Sequence, residues 1–331
     1  MNEWNEIIGN ERVAAFLKKS IQYKKISHAY IFDGIDGVGK CLFANAFAKS
    51  LQCKAASPPC HVCSACKSFD SHNNPDVIYV LPQKNNLSVD DIREQVNKTV
   101  AVKPYANPYK IYIIDSADKM SISAQNALLK TIEEPPAQVI LLLLADNAKL
   151  FLETILSRVV MLKLQRIPVK QIFDHLIRLG FEQSLSEVAS LYAMGSIGRA
   201  LKIAADEDYI QMRQKMIGIA ASIRERDLVE LFLLYTEFDP LKEKIFECLD
   251  VLYMWYRDIL LLKAVSLEHI LQKSSAEWLL SESEYYSLGN LFTILDSIEK
   301  SKRYLSQNAN YQLTIEMLIM KIKENTQRRN V

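Results

Sequence analysis

The chain has 331 residues and a formal net charge of +1, from 40 Lys and Arg residues against 39 Asp and Glu residues. At roughly 100 to 200 residues per domain, this length predicts about two or three domains. The near-neutral balance excludes the large positive field of a protein that binds DNA by itself. A hydrophobic fraction of 49% supplies enough apolar material for packed cores and excludes global disorder.

The N-terminal segment and the apolar stretches predict a cytoplasmic protein. The first twenty residues carry charges throughout and lack the apolar centre of a secretion signal. Of the two most apolar stretches, 139–145 is too short to cross a bilayer, and 245–265 is interrupted by charged residues. In a reducing compartment the six cysteines are expected to be metal ligands or reactive thiols rather than disulfides.

Short apolar runs alternate with helical patterns in the first half of the chain. They predict strands at residues 29–32, 77–81, 111–114, 139–144 and 159–164. Because each run is continuously apolar, it is typical of a strand buried on both faces of a parallel sheet. A helix is predicted over 123–134, where two prolines end it. Helical periodicity covers nearly all of the chain after residue 165, so the predicted fold class is α/β followed by all-α.

The first predicted strand runs into a phosphate-binding pattern. The segment Gly34-Ile35-Asp36-Gly37-Val38-Gly39-Lys40-Cys41 matches the G-x-x-x-x-G-K part of a P-loop and precedes a helical pattern. Its glycines let backbone amides turn toward phosphate oxygens, and Lys40 would reach the β and γ phosphates. ATP or ADP is the expected ligand. Cys41 replaces the hydroxyl residue that normally holds Mg²⁺, so poor magnesium binding is predicted. A chance glycine turn between strand and helix is the alternative.

The third predicted strand ends at Asp115, a position typical of the Walker B carboxylate that helps to hold the metal. Ser116 follows, where many related ATPases have a glutamate that activates the attacking water. Asp118 is the alternative base. Both substitutions, Cys41 and Ser116, would weaken hydrolysis more than nucleotide binding.

Four cysteines with the spacing C-x6-C-x2-C-x2-C lie between the first helix and the second strand. They are Cys53, Cys60, Cys63 and Cys66. Four thiolates at this spacing predict a closed, structural zinc site. An iron–sulfur cluster and unliganded thiols are the alternatives, although position 70 is an aspartate where a ferredoxin pattern has its fourth cysteine. His61 or His72 could each replace one cysteine as a ligand.

Further motifs surround these two sites. They are Ile8-Gly9-Asn10-Glu11, His28-Ala29-Tyr30, Asp115-Ser116-Ala117-Asp118-Lys119-Met120, the segment 126–136, and Leu156-Ser157-Arg158. Together with the P-loop and the cysteines, they resemble the clamp-loader branch of the AAA+ ATPases, which in bacteria belongs to the DNA polymerase III holoenzyme. The resemblance implies an AAA+ core with a five-stranded parallel sheet and a zinc module (53–66) over residues 1–164. It further implies a helical lid over 165–205 and a helical collar over 206–331 that holds a pentameric ring together.

The resemblance also implies roles for individual residues. Arg158 matches the arginine finger that reaches a neighbouring subunit's ATP site, although Val159 stands where the family has cysteine; a solvated surface arginine is the alternative. Arg199 matches the sensor 2 arginine of the lid. Either Asp146 or Asn147 matches the sensor 1 region.

The function implied is that of a clamp-loader subunit. It would assemble with gamma/tau and delta subunits in a hetero-pentamer and donate its arginine finger, so that the sliding clamp is loaded on primed DNA. The chain's own ATPase activity is expected to be weak or absent, which leaves open whether it is an enzyme by itself. The alternatives are an active motor ATPase of the gamma/tau kind and a zinc-containing nucleic-acid-binding module.

Overall fold

The computed structural model describes residues 3–82, 87–206, 208–264 and 276–326. The last residue of the apolar stretch 245–265 and the end of the predicted collar lie outside them. The chain divides into two compact units, residues 1–204 and 205–331. A separate lid over 165–205 stays a prediction. Within the described ranges, no helix has both the length and the apolar character needed to cross a membrane.

The first unit is built on a parallel sheet of five strands in the order β2-β3-β4-β1-β5. The strands are β1 (Ala29–Asp33), β2 (Val77–Val80), β3 (Lys110–Ile114), β4 (Val139–Ala145) and β5 (Val160–Lys163). The sequence-based prediction of these five strands is confirmed to within one residue at each end. The α/β class and the five-stranded parallel sheet are confirmed with it.

Burial along the strands follows from their place in the sheet. Every residue of the inner strands β3 and β4 is buried, because helices cover both faces of a parallel sheet. The edge strand β5 instead alternates between exposed and less exposed residues. The continuous apolar runs in the sequence therefore mark the centre of the sheet most clearly.

The helices of the first unit lie before β1, in the connections between the strands and in the segment after β5. They are α1 (Glu3–Glu6), α2 (Glu11–Gln22), α3 (Lys40–Gln52), α4 (Ser64–Asp70), α5 (Val89–Ile92), α6 (Ile122–Glu133), α7 (Glu153–Leu156), α8 (Val169–Arg178), α9 (Gln183–Tyr192) and α10 (Ile197–Ala205). A π-helical turn spans Arg93–Asn97, and 3-10 turns span Ala117–Lys119 and Ala148–Leu150.

Helix α6 shows how local sequence defines these elements. The Ser121 hydroxyl accepts a hydrogen bond from the backbone amide of Ala124 at 3.2 Å and so caps the first turn. Ala124, Leu128 and Ile132 form its buried face, in the same apolar cluster as β3 and β4. The helix ends before the two prolines, as predicted from the sequence.

In the described part of the second unit, every secondary-structure element is a helix. Its elements are α11 (Tyr209–Ser222), α12 (Leu228–Leu233), α13 (Tyr235–Phe238), a 3-10 turn (Asp239–Lys244), α14 (Ile245–Ala264), α15 (Ala276–Ser283), α16 (Leu288–Ser306) and α17 (Tyr311–Glu324). Helix α14 is central, since it packs against α11, α15 and α16. Its aromatic residues Trp255 and Tyr256 are fully buried and belong to the core of the unit.

Candidate nucleotide site and cysteine cluster

A cavity of about 290 Å³ opens at the carboxyl ends of the strands. Parallel α/β sheets bind ligands at this edge, because the loops that follow the strands converge there. The cavity is lined by Glu6, Ile7, Ile8, Asp36, Gly37, Val38, Gly39, Lys40, Cys41, Leu42, Asp115, Leu144, His175, Ile197, Gly198 and Leu201. The structure thus brings the predicted P-loop and the predicted Walker B aspartate into one cavity.

The P-loop backbone depends on two glycines with left-handed conformations. Gly37 has φ of 69°, and Gly39, which precedes the first residue of α3, has φ of 106°. A Cβ atom at Gly37 would lie 2.4 Å from the Ser196 hydroxyl oxygen, so a larger residue there would have to displace the segment before α10. Both the backbone conformation and the close packing therefore require glycine at position 37.

The ammonium group of Lys40 has three partners within the chain. It donates to the carbonyl oxygens of Gly34 at 2.8 Å and Ile35 at 3.1 Å, and it pairs with Asp146 Oδ1 at 2.5 Å. Lys40 is buried, and Asp146 is half-exposed at the end of β4. The lysine predicted to reach the phosphates is thus hydrogen-bonded to its own loop and to a neighbouring carboxylate.

Cys41 and Asp115 face the cavity together. The Asn45 amide donates a hydrogen bond to the Cys41 sulfur at 3.4 Å. Burial, and next the charge of Asp115, raise the pKa of the Cys41 thiol above its ordinary value. A neutral thiol is a poor ligand for Mg²⁺. The exposed Asp115 carboxylate is held near its backbone by a hydrogen bond from the Ser116 amide at 2.7 Å.

The segment after β3 turns sharply away from the strand. Ser116 has a left-handed backbone, with φ of 49°. Asp118, the alternative base, is buried, and its Oδ2 atom accepts a hydrogen bond from the Asn147 amide at 3.3 Å. The residues that line the cavity include Asp115 but not Asp118.

Asp146 and Asn147, the two candidates for sensor 1, have different partners. Asp146 contacts Lys40, as described above, whereas the Asn147 side chain caps the following 3-10 turn by accepting from the Lys149 amide at 3.1 Å. Of the two, only Asp146 has a side-chain contact with the P-loop.

The N-terminal end of α10 lies directly on the P-loop. The Gly198 amide donates to the Gly37 carbonyl oxygen at 2.8 Å, and Ile197, Gly198 and Leu201 line the cavity. Arg199, the predicted sensor 2 residue, lies between these residues but is not itself part of the lining; its backbone amide donates to the Ser196 hydroxyl at 3.1 Å.

Arg158, the predicted arginine finger, lies outside the cavity of its own subunit. It follows α7, and 42% of its side chain is exposed. Its guanidinium donates to the Thr154 carbonyl and the Ser157 hydroxyl, both at 3.0 Å, and pairs with Glu133 at 3.3 Å. The Leu156-Ser157-Arg158 motif is thus in contact with the end of α6, which belongs to the separate motif 126–136.

Sequence reasoning did not assign several residues that line the cavity, among them Glu6, Ile7, Leu144 and His175. Burial, followed by the nearby charge of Arg178, lowers the pKa of His175. The only sequence feature that pointed to the N-terminal part of this lining was the motif Ile8-Gly9-Asn10-Glu11. Its Asn10 side chain accepts from the Gln165 amide at 2.6 Å and donates to the Gln165 carbonyl at 3.0 Å, so it fixes the N-terminal segment to the end of β5.

The cysteine cluster forms a second site, between α3 and α4. The sulfur atoms of Cys53, Cys60, Cys63 and Cys66 all lie within 4.8 Å of one another, and none forms a disulfide. A tetrahedral zinc ion bound by four thiolates requires sulfur–sulfur distances of about 3.8 Å, from Zn–S bonds of about 2.3 Å. The four sulfur atoms are therefore close enough together to bind one zinc ion.

The surroundings of the sulfur atoms suit thiolate ligands. Backbone amides donate to sulfur in three places: Ala55 to Cys53 at 3.5 Å, Cys63 to Cys60 at 3.4 Å, and Cys66 to Cys63 at 3.5 Å. Amides of Val62 and Cys63 lower the pKa of Cys60 to about 6, because they stabilise its thiolate. Such hydrogen bonds fit the outer shell of a metal site.

The two histidines considered as ligands are engaged elsewhere. His61 Nδ1 lies 3.0 Å from the ammonium of Lys49, and Lys49 also pairs with Asp70 at 2.5 Å. His72 packs its ring edge-on against Tyr79. Lys49 is buried in α3, so it fixes the cysteine segment to the helix that follows the P-loop.

Comparison with known proteins identifies the relatives of this chain. The family model described as DNA polymerase III, delta subunit, matches residues 9–168. The delta-prime subunit of DNA polymerase III from Bacillus subtilis is 29% identical, over 97% of this chain and 98% of that protein. The tau subunit from the same organism is 30% identical over 96% of this chain, which spans only 61% of the length of tau.

Among solved structures, a gamma subunit-related protein of DNA polymerase III from Thermotoga maritima is 17% identical. Its TM-score is 0.44, with 93% of this chain and 99% of that chain covered. The chain is thus similar to subunits of bacterial DNA polymerase III, and over nearly its whole length to the delta-prime subunit.

Proposed function

We propose that this chain completes a clamp-loader ring and donates Arg158 to the ATP site of a neighbouring subunit. The observation that carries the proposal is the position of Arg158. Its guanidinium is exposed and lies outside the cavity of its own subunit, while Glu133 and Thr154 orient it. An arginine that is ordered but remote from its own phosphate loop is suited to a site on another chain, where it can stabilise the charge of the transferring phosphoryl group.

The chain's own site is suited to nucleotide binding rather than hydrolysis. The cavity combines a P-loop with a thiol at position 41, and Ser116 follows the Walker B aspartate. Without a hydroxyl ligand for Mg²⁺ and a positioned base, hydrolysis loses contributions that are each worth about 10² to 10⁴ in rate. We assign ATP turnover in the complex to gamma/tau-type partners, with Gly37, Gly39 and Lys40 holding ATP or ADP here.

The second unit is assigned to ring assembly, as a collar. Helices α12 and α17, which pack against each other, both expose large apolar side chains. These are Leu228, Val229, Phe232 and Leu233 on α12, and Leu313 and Met317 on α17, each more than half exposed. Exposed apolar surface of this kind is typical of a protein interface. The partners would be gamma/tau and delta subunits in a hetero-pentamer that acts on the sliding clamp and primed DNA.

The cysteine cluster is assigned a structural zinc ion. All four positions of a tetrahedral ion would be filled by Cys53, Cys60, Cys63 and Cys66, which leaves no open position for a substrate. The zinc would stabilise the segment between α3 and α4 and have no direct part in nucleotide chemistry.

The proposal is tested in a complex reconstituted with tau/gamma-type and delta-type subunits. Arg158→Ala is expected to leave assembly intact and to lower clamp-dependent ATPase activity by at least about 10³-fold at the site it serves, since an arginine finger contributes about 10³ to 10⁵. Arg93→Ala is the control, because Arg93 is also an exposed arginine with a carboxylate partner, Asp90 at 3.7 Å.

Two results would contradict the proposed function. The first is full clamp-loading activity in a complex that carries Arg158→Ala. The second is ATP turnover by the isolated chain at the rate of a motor subunit, which would make it an active ATPase in its own right.

A further inference from the structure

The ammonium group of Lys40 has no donor left over for a phosphate. An ammonium has three N–H donors. Three acceptors lie within hydrogen-bond distance of it: the carbonyl oxygens of Gly34 and Ile35, and Asp146 Oδ1. A phosphate can therefore accept a hydrogen bond from Lys40 only if one of these three hydrogen bonds breaks. Asp146 is the acceptor that resembles a phosphate oxygen most, because it is anionic.

The position of Asp146 is fixed by the backbone on both sides of it. The preceding residue, Ala145, accepts a hydrogen bond from the Gly34 amide at 3.1 Å. The amide of the following residue, Asn147, donates to Asp118 at 3.3 Å, and the next amide, of Ala148, donates to Asp33 at 2.9 Å. The carboxylate is therefore held at the P-loop by both flanking segments.

The strand order explains why these two residues meet although they are 106 positions apart. Strands β1 and β4 are neighbours, and Asp33 at the end of β1 pairs in register with Ala145 at the end of β4. The residues that follow the two strands therefore emerge side by side at the carboxyl edge of the sheet. The contact between Lys40 and Asp146 is thus a product of the fold of the sheet.

We propose that Asp146 acts as an internal anion that occupies the phosphate-binding lysine, so that nucleotide binds by displacing it. Nucleotide affinity is then lowered in two ways. The ion pair must break, and the Asp146 carboxylate repels the incoming phosphates at short range. This inference rests on the proposed binding of nucleotide at the subunit's own P-loop and does not depend on Arg158. Asp146 is a positioning residue in this scheme, since it acts through Lys40.

The test is a titration of the full-length chain with ADP that carries a fluorescent methylanthraniloyl group, in EDTA so that magnesium does not contribute. Asp146→Asn keeps the shape and an acceptor oxygen but removes the charge. It is expected to raise the affinity for this ADP about tenfold, equivalent to about 1.4 kcal/mol. Lys40→Ala in the same background should abolish the gain.

A matched charge control separates the two effects. Asp36 also lines the cavity, but within the described part of the chain it is not a partner of Lys40. Asp36→Asn removes one negative charge without releasing the lysine, so a gain of less than about threefold is expected. Equal gains in the two variants would overturn the proposal. Unchanged, weaker or undetectable binding by Asp146→Asn would overturn it as well.

A second measurement does not depend on nucleotide. The rate at which acetic anhydride acetylates Lys40, followed by mass spectrometry, reports how tightly the ammonium is held. Asp146→Asn should raise this rate several-fold while leaving the rate at the exposed Lys98 unchanged, and an unchanged rate at Lys40 would contradict the ion pair. Neither measurement involves Arg158 or the ring, so failure here is distinct from failure of the proposed arginine finger. Tighter ADP binding by Asp36→Asn and Asp146→Asn alike would overturn this inference and leave nucleotide binding at the P-loop intact.

Discussion

At position 41 the P-loop has a thiol where the sequence pattern ordinarily has a hydroxyl. The structure puts this thiol in the cavity beside Asp115. Positions 41 and 115 are the two from which a P-loop protein usually holds magnesium. Burial and the neighbouring carboxylate both raise the pKa of Cys41, so the group remains a neutral thiol at physiological pH. The sulfur atom of Cys41, in place of a hydroxyl oxygen, is therefore what distinguishes this pair of residues from the usual oxygen ligands of the metal.

Replacing that atom should restore magnesium dependence. In Cys41→Ser, Mg²⁺ is expected to raise the affinity for ADP about five- to tenfold, because a hydroxyl oxygen is a suitable ligand for this hard cation. In the unmodified chain the effect should stay below about twofold. The measurement is the fluorescent ADP titration with and without Mg²⁺. Cys41→Ala is the control, and a magnesium effect of the same size in that variant would contradict the role of the hydroxyl.

The orientation of Arg158 depends on a residue that is distant in the sequence. The sequence motif indicates that this arginine is of interest, but it does not indicate what holds the guanidinium. Its carboxylate partner Glu133 is 25 positions away and belongs to a different motif. The two motifs are therefore parts of one surface feature, and the proximity of α6 and α7 creates it.

Among the elements, α3 connects the two candidate sites. It begins at Lys40, next to the cavity, and Cys53, the first residue of the cysteine cluster, directly follows its last residue. At about 1.5 Å per residue, its 13 residues span about 20 Å. The cysteine segment is packed on the same helix through Lys49 and Asp70.

Loss of zinc should therefore destabilise the segment between α3 and α4. Removal of the metal by a chelator, or the substitution Cys63→Ser, is expected to lower the free energy of unfolding by at least about 2 kcal/mol, because metal binding and folding are coupled. Zinc content by mass spectrometry and thermal unfolding test this prediction. Cys41→Ser is the control and should retain one zinc per chain. A purified chain with four reduced cysteines and no zinc would contradict the assignment.

Helix α11 ends on a lysine that comes from another helix. The ammonium of Lys323, in α17, donates to the carbonyl oxygens of Ile223 at 3.2 Å, Arg224 at 2.7 Å and Arg226 at 2.7 Å. These carbonyls belong to the C-cap residue and the turn that directly follow α11, near the negative end of its dipole. Lys323 therefore binds the turn after α11 and ties it to α17.

Removing this ammonium should be costly. Lys323→Met is expected to lower the free energy of unfolding by about 1 to 3 kcal/mol, because the carbonyls lose a charged donor. Urea denaturation followed by circular dichroism measures the change. Lys321→Met is the matched control: Lys321 pairs with Glu324 on the surface, so a loss below about 0.5 kcal/mol is expected. Similar losses in the two variants would contradict the cap.

For the whole molecule, the division into two compact units separates the chemistry from the proposed assembly surface. The cavity, the cysteine cluster and Arg158 all lie in residues 1–204, whereas α12 and α17 lie in 205–331. Their exposed apolar residues have no role within the second unit's core, which is formed around α14. This arrangement favours an assembly surface that is distinct from the nucleotide site.

The proposed collar surface can be tested by a substitution that introduces one negative charge. Phe232→Glu is expected to weaken assembly with gamma/tau- and delta-type subunits at least about tenfold, because an apolar anchor in an interface is replaced by an unpaired charge. Thermal stability of the isolated chain should change little, since Phe232 is exposed. Size-exclusion chromatography of the mixed subunits measures assembly. Leu150→Glu, at an exposed site in the first unit, is the control; normal assembly by Phe232→Glu would exclude this surface.

Much of the fold could be predicted from local sequence. The five strands, α6 with its proline end, and the P-loop between β1 and α3 follow from periodicity and turn chemistry that lie within a few consecutive residues. The cysteine set was equally accessible, because its ligands fall within 14 positions of the chain. The choice between Asp146 and Asn147 was not accessible, since both follow the same strand and their side chains point to different partners.

The sequence by itself determined which residues are candidates for the two sites: the P-loop, the cysteines and the two arginines. Only the tertiary structure decided which of them meet. Lys40 contacts Asp146 because β4 lies next to β1. Arg158 pairs with Glu133 because α7 packs on α6. His175 lines the cavity from a helix that follows β5. Local sequence patterns encode backbone conformation and burial, whereas contacts between distant residues depend on strand order and helix packing, which bring those residues together only when the chain has folded.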